Sequence, residues 1–517
     1  MSLDYWERRQ VVGDAQYAFA NGQEVIARLE RIHANAARRI RDMQQRIRRR
    51  FKARYGLDED KARELLSSPV GREEYLHLLE EIGRLGKKNP MRDELLAKAA
   101  APAYAYRLRL EEAMELELDA ITAKLAEQEQ QIVEEHLIKS AQEENMRAAF
   151  RIQHKAGVAF RVRGVSEELA RVIAYQPWSG ASFSARIWRN REKLAEWMNE
   201  DFAGGLVEGE SGETLARELA EKMDVSLNRA RTLVRTETTH VCNEADFEAY
   251  KEAELEEYIF DAILDRKTSK ICRKHDRKRY KVKDKRVGVN CPPMHPNCRS
   301  STITGNFTDE ELERMERWAR DPVTGKGVKV PSSMNYDQWR KLQAETYGEE
   351  RVALGEKMAR NKAADEKQFR KYKQVLGRKQ LPPGLESFQK VKYTEPEEWK
   401  RTKRAAYTLS EIDGKSAWSP EFRKKAKDTY WTMRAEDVEM SDHAIARYLD
   451  RRAKIGDGLT TEQLAQLCKK PVNYIQPDGR EVRYYGEIAA VFSDKTGEMV
   501  TLLRRKKPRE DWSVVRE

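Results

Sequence analysis

Four side chains in the middle of the chain have the types and the spacing of metal ligands. Cys272 and His275 form a Cys-x2-His pair, and His295 and Cys298 form a His-x2-Cys pair. A two-residue spacer lets both side chains of a pair bend onto one ion, and two pairs complete the tetrahedron that Zn²⁺ prefers. The sequence therefore predicts a structural zinc site with four protein ligands, for which Cys291 is a substitute candidate. The alternative is a loop held by ordinary hydrogen bonds.

The segment that joins the two pairs is strongly basic. Between Arg266 and Gly288 it carries twelve Lys or Arg residues and two Asp residues, and the whole chain has a net charge of +11. Because this segment has few apolar side chains to bury, we expect a metal to hold it in shape. We also predict contact with nucleic acid or another polyanion, since neutralised phosphates release counterions; the alternative is a solvated surface loop. The candidate contact residues are Arg277, Lys278, Arg279 and Lys281.

The composition favours long solvated helices with thin cores. Charged residues make up 36% of the 517 residues and hydrophobic residues 39%. Five cysteines do not form a disulfide scaffold in a chain of this length, which indicates a reducing compartment. The sequence has no run near the ~20 apolar residues of a membrane span, and its first residues lack the apolar core of a secretory signal. We therefore expect a protein made in a cytoplasm, with no membrane partner.

Hydrophobic periodicity predicts the elements that position the candidate ligands. Residues 1–160 are predicted as a long helical region, and residues 161–305 as an α+β module that contains the basic Cys/His loop and a strand at 258–264. Apolar residues at heptad spacing mark two of the N-terminal helices. The first stripe is Ala36, Ile40, Met43 and Ile47, and the second is Met114, Leu118, Ile121, Leu125 and Ile132.

The remainder of the chain is predicted as a connector and a small domain. Residues 306–430 are polar and helix-prone, and residues 431–517 form a small α+β domain with helices at 441–453 and 460–468. Residues 481–492 and 498–503 alternate in polarity and are predicted as the two strands of a β-hairpin. The predicted fold class is mainly α, with long N-terminal helices, a central module resembling a zinc knot and a small C-terminal α+β domain.

Three runs of sequence around the Cys/His pairs carry further motifs. They are RARTLVRTETTHVCNEAD, LDRKTSKICRKHD and GVNCPPMHPNCRSSTI. Together they resemble the tailed-phage minor head (head morphogenesis) proteins, the family that includes the F protein of phage Mu. The family motif corresponds here to Arg235, Thr236, Glu237, Asp265, Thr268, Pro292, Pro293 and Arg299, besides His295 and Cys298. The likeness is strong over about 225–303 and extends over roughly 1–400. The first ligand pair departs from the family, where it is often Cys-x2-Cys.

The resemblance implies a virion component at or near the portal. Its partners would be the portal protein, other capsid proteins and phage DNA, and its role would lie in capsid assembly and genome packaging or delivery. The protein would be made in the cytoplasm of a bacterial host and would end in the capsid. A host zinc-dependent DNA-binding regulator is the weaker alternative, because no recognition-helix arrangement accompanies the basic loop.

A second set of residues with chemical potential lies near the C-terminus. His443 and Arg447 are one helical turn apart, Arg451 follows, and Thr501 lies on a later strand. This arrangement resembles the nuclease-like domains of the barnase, EndoU, colicin and RelE type that some phage head proteins carry. A histidine can act as general acid or base in metal-independent RNA cleavage, while arginines neutralise the phosphorane and either Thr501 or Tyr485 positions a phosphate. The alternative function is therefore a virion-delivered RNase effector; the other interpretation is an exposed helix-surface histidine.

Overall fold

The chain divides into two units, Met1–Val352 and Ala353–Glu517. The computed structural model describes residues 3–55, 64, 66–99, 108–159, 161–207, 212–449 and 458–515. The boundary between the units falls inside the segment 306–430, which the sequence predicted as a connector. The finer division into four regions stays a prediction.

Long helices form the N-terminal part of the first unit. They are α1 (Leu3–Tyr55), α2 (Arg72–Gly83), α3 (Arg92–Ala99), α4 (Leu110–Ala156), α5 (Glu167–Tyr175), α6 (Phe183–Val207) and α7 (Gly212–Glu252). Both predicted heptad stripes are confirmed, because all of their residues are buried and all except Ile132 share one core cluster. Helix α4 lies against α1, α6 and α7, so it forms the spine of this part.

The central module follows α7 and contains a three-stranded antiparallel sheet. Its elements are β1 (Glu257–Asp261), α8 (Lys270–His275), β2 (Arg279–Lys281) and β3 (Ser301–Thr304), with strand order β2-β1-β3. The strand predicted at 258–264 is present but ends at Asp261. It ends there because the next amide, that of Ala262, donates to the Asp276 carboxylate at 2.9 Å rather than to a neighbouring strand.

A β-hairpin and two helices complete the first unit. They are α9 (Asp309–Arg314), β4 (Glu316–Arg320), β5 (Gly327–Pro331) and α10 (Tyr336–Tyr347). Arg317 of β4 is 2% exposed, and its guanidinium lies 3.1 Å from the Asp276 carboxylate and 2.8 Å from that of Asp261. This buried ion-pair network joins the hairpin to the central module. The sequence did not predict it, because charged residues usually occupy the exposed face of a strand.

The second unit packs helices against one face of a sheet. The helices are α11 (Glu349–Leu376), α12 (Leu385–Thr394), α13 (Pro396–Gly414), α14 (Pro420–Ala435), α15 (Asp442–Leu449) and α16 (Thr461–Cys468). The strands are β6 (Tyr474–Ile475), β7 (Glu481–Tyr485), β8 (Ile488–Phe492), β9 (Met499–Arg504) and β10 (Ser513–Val514), in the antiparallel order β10-β6-β7-β8-β9. The predicted fold class, mainly α with α+β modules, is confirmed.

The hairpin predicted near the C-terminus is only partly correct. Residues 481–492, predicted as one strand, form the two paired strands β7 and β8. The turn between them contains Gly486 and Glu487, with φ angles of 58° and 67°. Two successive residues in the left-handed region match the tight turn that joins antiparallel strands, which explains the reversal of the chain here.

Candidate metal centre

Three of the four predicted ligands converge on one point. The Cys272 Sγ lies 3.7 Å from the Cys298 Sγ and 3.3 Å from the His295 Nε2, and all three donor atoms lie within 4.8 Å of one another. In a tetrahedral zinc site, bond lengths of about 2.3 Å to sulfur and 2.0 Å to nitrogen separate two sulfurs by about 3.8 Å and a sulfur from a nitrogen by about 3.6 Å. The spacing of the three donors therefore fits a single zinc ion.

The hydrogen bond of the His295 ring prepares its other nitrogen for a metal. The Nδ1 lies 2.8 Å from the carbonyl oxygen of Pro296, an atom that can only accept. Nδ1 must therefore carry a proton, so in the neutral ring the lone pair lies on the Nε2 that faces Cys272. A backbone acceptor of this kind commonly fixes the tautomer and the orientation of metal-binding histidines.

The two thiols lie in contact and differ in acidity. Cys272 and Cys298 are 2% and 1% exposed. The hydrogen bond from Cys298 lowers the pKa of Cys272 to about 6, with a further contribution from the charge of Arg299. The same hydrogen bond, together with burial, raises the pKa of Cys298. A cation between the two sulfurs would favour release of both protons.

His275 lies outside this group of donors. Its Nδ1 is 2.7 Å from the Tyr280 hydroxyl oxygen, and its ring is 5.4 Å from the ring of Phe260. Burial lowers the pKa of His275, as do the charges of Lys278 and Lys274. Cys291, the substitute candidate, is fully buried in a different apolar cluster that contains Tyr258. Among the described residues, no fourth Cys, His, Asp or Glu joins the three donors.

The first ligand segment is held by an aspartate–arginine pair. Arg299 donates to both carboxylate oxygens of Asp265, at 2.6 and 2.9 Å. Although burial alone would raise it, the pKa of Asp265 is lowered by these bonds and by the charge of Arg299. Thr268 donates to the same carboxylate at 3.0 Å, and Ser269 caps α8 by accepting from the Cys272 amide at 3.2 Å. Arg299 therefore connects the chain next to Cys298 with the turn that leads to Cys272.

Helix α7 holds the second ligand segment. The Thr236 hydroxyl accepts from the Asn297 amide at 2.9 Å, and the Thr239 hydroxyl donates to the Cys298 carbonyl at 2.7 Å. Pro292 and Pro293, which precede His295, are buried and joined by a cis peptide bond. The threonine of the Arg-Thr-Glu motif thus has a defined role, because it fixes the backbone between His295 and Cys298.

The other two residues of the Arg-Thr-Glu motif face different surroundings. Glu237 is fully buried and accepts from the Trp178 indole at 2.9 Å and from Arg186 at 3.0 Å. Burial raises the pKa of Glu237, although both donors oppose the shift. Glu237 therefore ties α7 to α6 and to the loop before it. Arg235 is exposed, and burial of its inner part and the charges of Arg231 and Arg299 lower its pKa.

The predicted polyanion-binding residues do not share one environment. Lys278 and Lys281 are exposed. Arg279 is exposed too, but it donates to the Gly305 and Phe307 carbonyls and to Asp309. The Arg277 side chain is 8% exposed and pairs with Asp261 at 3.2 Å. Burial and the charge of Arg317 lower the pKa of Arg277 to about 10. Arg277 is therefore placed in the interior, beside the Arg317 network.

Sequence reasoning missed three residues that position the site. Thr239 and Ser269 hold the backbone next to the two cysteine ligands, and Trp178 reaches Glu237. The i, i+3 spacing of a helix could have indicated Thr239, because this residue lies three positions after Thr236 and therefore on the same face of α7. Ser269 directly precedes a short helix, where serine is a preferred N-cap. No local signal links Trp178 with Glu237, 59 positions later.

The residues of the predicted C-terminal site lie on α15 and β9. His443 is exposed and Arg447 half-buried on α15, Thr501 is half-buried on β9, and Arg451 lies outside the described residues. The Ser441 hydroxyl donates to the Val500 carbonyl at 3.1 Å, which fixes the start of α15 on β9. In the part of the chain that the structure describes, no hydrogen bond joins His443, Arg447 and Thr501. The catalytic role of these residues stays a prediction.

Fold and site together define a mainly helical protein in which a long helix supports an α+β module with a Cys/His centre. Residues 197–303, from the end of α6 to β3, match a family model described as "Phage Mu protein F like protein". This segment, about a fifth of the chain, contains the three donors and all of the family-motif residues. No curated protein and no solved structure matches the chain. The match supports the resemblance to phage head morphogenesis proteins for this segment, whereas the nuclease-like resemblance at 431–517 receives no support.

Proposed function

We propose that the protein is a minor head protein of a tailed phage, acting in capsid assembly and in genome packaging or delivery from a position at the portal. The observation that carries this proposal is the family match over 197–303, which coincides with α7, the central sheet and the Cys/His centre. The long helices offer an extended surface for the portal protein and other capsid proteins. Of the described helices, none combines the length and apolar character that a membrane crossing requires.

The metal centre would give the module its shape. Cys272, His295 and Cys298 would hold Zn²⁺, which would supply a cross-link between α8 and the loop before β3. Arg299, Thr236 and Thr239 orient the ligand segments through the hydrogen bonds described above. Because the loop between the ligands is basic and partly exposed, such a cross-link offsets the small apolar area that it can bury.

Phage DNA is the proposed polyanion. The exposed Lys278 and Lys281, with Arg279 beside them, would contact phosphates without reading sequence. Arg277 would support this surface from the interior through its pair with Asp261. Binding of duplex DNA should therefore weaken as the salt concentration rises. In the double variant Lys278→Gln, Lys281→Gln, the slope of log K against log salt concentration should be shallower by about two, one for each lost phosphate contact.

The direct test of the proposed role is the protein content of purified phage particles. The chain should be present in particles of the phage that encodes it, and it should remain with the portal when capsids are disassembled. Cys298→Ser should reduce its incorporation, because the variant loses a donor, whereas Cys242→Ser, at a cysteine outside the metal group, should not. Absence of the chain from intact particles would contradict the proposal.

The alternative function is a virion-delivered RNase that uses the second unit. The observation in its favour is the placement of His443 and Arg447 on a helix fixed to the strand of Thr501. The full-length protein should then cleave RNA, and His443→Ala should abolish cleavage while circular dichroism stays unchanged. Cleavage that persists in this variant, or an inactive full-length protein that folds normally, would remove the enzymatic interpretation.

A further inference from the structure

The three converging donors leave one coordination position of a tetrahedral zinc ion to be filled. Two thiolates and one imidazole come from Cys272, Cys298 and His295, and zinc in proteins takes four ligands. We propose that the fourth ligand comes from outside the chain: a water molecule that a small monodentate anion can replace. This inference rests on the proposed metal site and adds that one of its four ligands is exchangeable.

Two other potential ligands of this segment, His275 and Asp265, have partners of their own. His275 contacts the Tyr280 hydroxyl through Nδ1, and its ring packs beside Phe260. Asp265 directs both carboxylate oxygens at Arg299. The donor atoms of both residues lie outside the group of three, in which all atoms are within 4.8 Å of one another.

Cys291, the remaining cysteine of this segment, is held in another cluster. Its side chain is fully buried among aromatic residues that include Tyr250 and Tyr258, and its Sγ lies 3.4 Å from the Pro292 carbonyl oxygen. Burial raises the pKa of this thiol, so the thiolate that a metal needs is disfavoured here. Cys291 therefore contributes packing.

A ligand from solvent would approach from the side of His295. Both sulfurs are buried, whereas His295 is half-buried and is followed by the exposed Pro296 and Asn297. The Arg299 side chain, one residue after Cys298, is 39% exposed. The deep part of the centre thus consists of sulfur, and its outer part consists of the imidazole and the adjoining backbone.

Charge balance determines which ligand suits this position. Two thiolates neutralise the charge of Zn²⁺, and Asp265 neutralises Arg299. Arg235 remains as an exposed positive charge near Arg299. A neutral or singly negative ligand is therefore favoured over a cation. Zinc sites with three protein ligands and one exchangeable ligand bind and polarise small molecules, whereas sites closed by four protein ligands are structural.

Cobalt substitution of the full-length protein tests the inference. Co²⁺ bound to two thiolates gives charge-transfer and ligand-field absorption that reports the ligand set. Azide should shift the ligand-field bands saturably, because it replaces the exchangeable ligand. His275→Ala should keep the spectrum and the Co²⁺ affinity of the wild type. His295→Ala is the matched variant at a proposed ligand. It should weaken Co²⁺ binding by more than about 100-fold, because the loss of a hydrogen-bond partner of a ligand already weakens metal binding by up to about 100-fold.

Each contrary outcome identifies what has failed. If His275→Ala weakens Co²⁺ binding as strongly as His295→Ala does while circular dichroism is unchanged, His275 is the fourth ligand and the inference is wrong. Bands that do not respond to azide would likewise place the fourth donor within the chain. If the wild-type protein binds no Co²⁺ at all, the metal site itself fails, and the inference fails with it.

Discussion

The central module and the second unit both combine helices with an antiparallel sheet, but different contacts hold them together. In the module, the Arg299–Asp265 pair joins two of its segments, and the Arg317–Asp276 pair joins it to the β4–β5 hairpin. In the second unit, buried apolar residues from the helices and the sheet form one large cluster, and a smaller one lies on the other face of the sheet. Polar contacts require particular partners at particular positions, whereas an apolar core accepts many residues of similar volume. The two regions should therefore tolerate different substitutions.

The largest expected effect is on the buried ion pair of the module. Arg317→Met would leave the Asp276 carboxylate, which is fully buried, without its partner guanidinium. The free energy of unfolding of the first unit should fall by about 3–5 kcal/mol, the usual cost of breaking a buried pair from one side. Urea denaturation measures this change. Arg314→Met, at an exposed position just before β4, should change it by less than about 0.5 kcal/mol. Equal effects of the two substitutions would contradict the claim that buried ion pairs stabilise the module.

The corresponding change in the second unit tests its apolar core. Leu409 on α13 is fully buried in the cluster, so Leu409→Ala should cost about 2–5 kcal/mol through lost transfer energy and a cavity. Tyr407→Ala on the same helix, where the side chain is 67% exposed, should cost far less. Metal binding should be the same in both variants, because the donors lie in the first unit. A loss of metal binding in Leu409→Ala would show that the two regions are not energetically separate.

The pH dependence of stability distinguishes the two regions further, because the helices of the first unit carry buried histidines whose pKa values are lowered, among them His240 and His136. Burial, with nearby cations, lowers the pKa of His240 to about 3 and that of His136 to about 4. Below pH ~6.5 these histidines bind protons in the unfolded chain but not in the folded protein. Between pH ~6.5 and its lowered pKa in the folded protein, each histidine should therefore reduce the free energy of unfolding of the first unit by about 1.4 kcal/mol for every pH unit that the pH falls. Urea denaturation between pH 7 and pH 5 measures this slope.

A substitution at His240 isolates its share of the pH slope. His240→Leu should make the slope shallower by about 1.4 kcal/mol per pH unit. His77→Gln, at a half-exposed histidine of α2, should leave it unchanged. A slope that is the same in the His240→Leu variant would mean that His240 is protonated in the folded protein.

The smallest expected effect concerns the support that α7 gives to the ligand loop. Thr236→Val would remove the acceptor of the Asn297 amide, at a cost of about 1 kcal/mol, and should weaken metal binding by about 10-fold or more as an outer-shell contact. Thr346→Val is the matched control, because this hydroxyl donates only within α10, to the Leu342 carbonyl. Isothermal titration of the metal measures the difference. Unchanged metal affinity in Thr236→Val would show that α7 does not position the ligands.

Local patterns predicted the helices and the three converging donor side chains, because both depend on short spacings. The heptad stripe from Ala36 to Ile47 fixed one face of α1, and the two-residue spacer brought His295 and Cys298 together. His275 shows the limit of this reasoning, since Cys-x2-His spacing permits convergence but a hydrogen bond to Tyr280 is an available alternative. Contacts between distant residues, such as Glu237 with Trp178 or Arg317 with Asp276, leave no spacing signal. They depend on how the elements pack.

X-ray absorption at the zinc edge of the purified full-length protein tests the metal centre most directly. Stoichiometric zinc with two sulfur donors at about 2.3 Å and nitrogen or oxygen donors at about 2.0–2.1 Å is the expected result. A protein that contains no zinc, or zinc without sulfur in its coordination shell, would contradict the account.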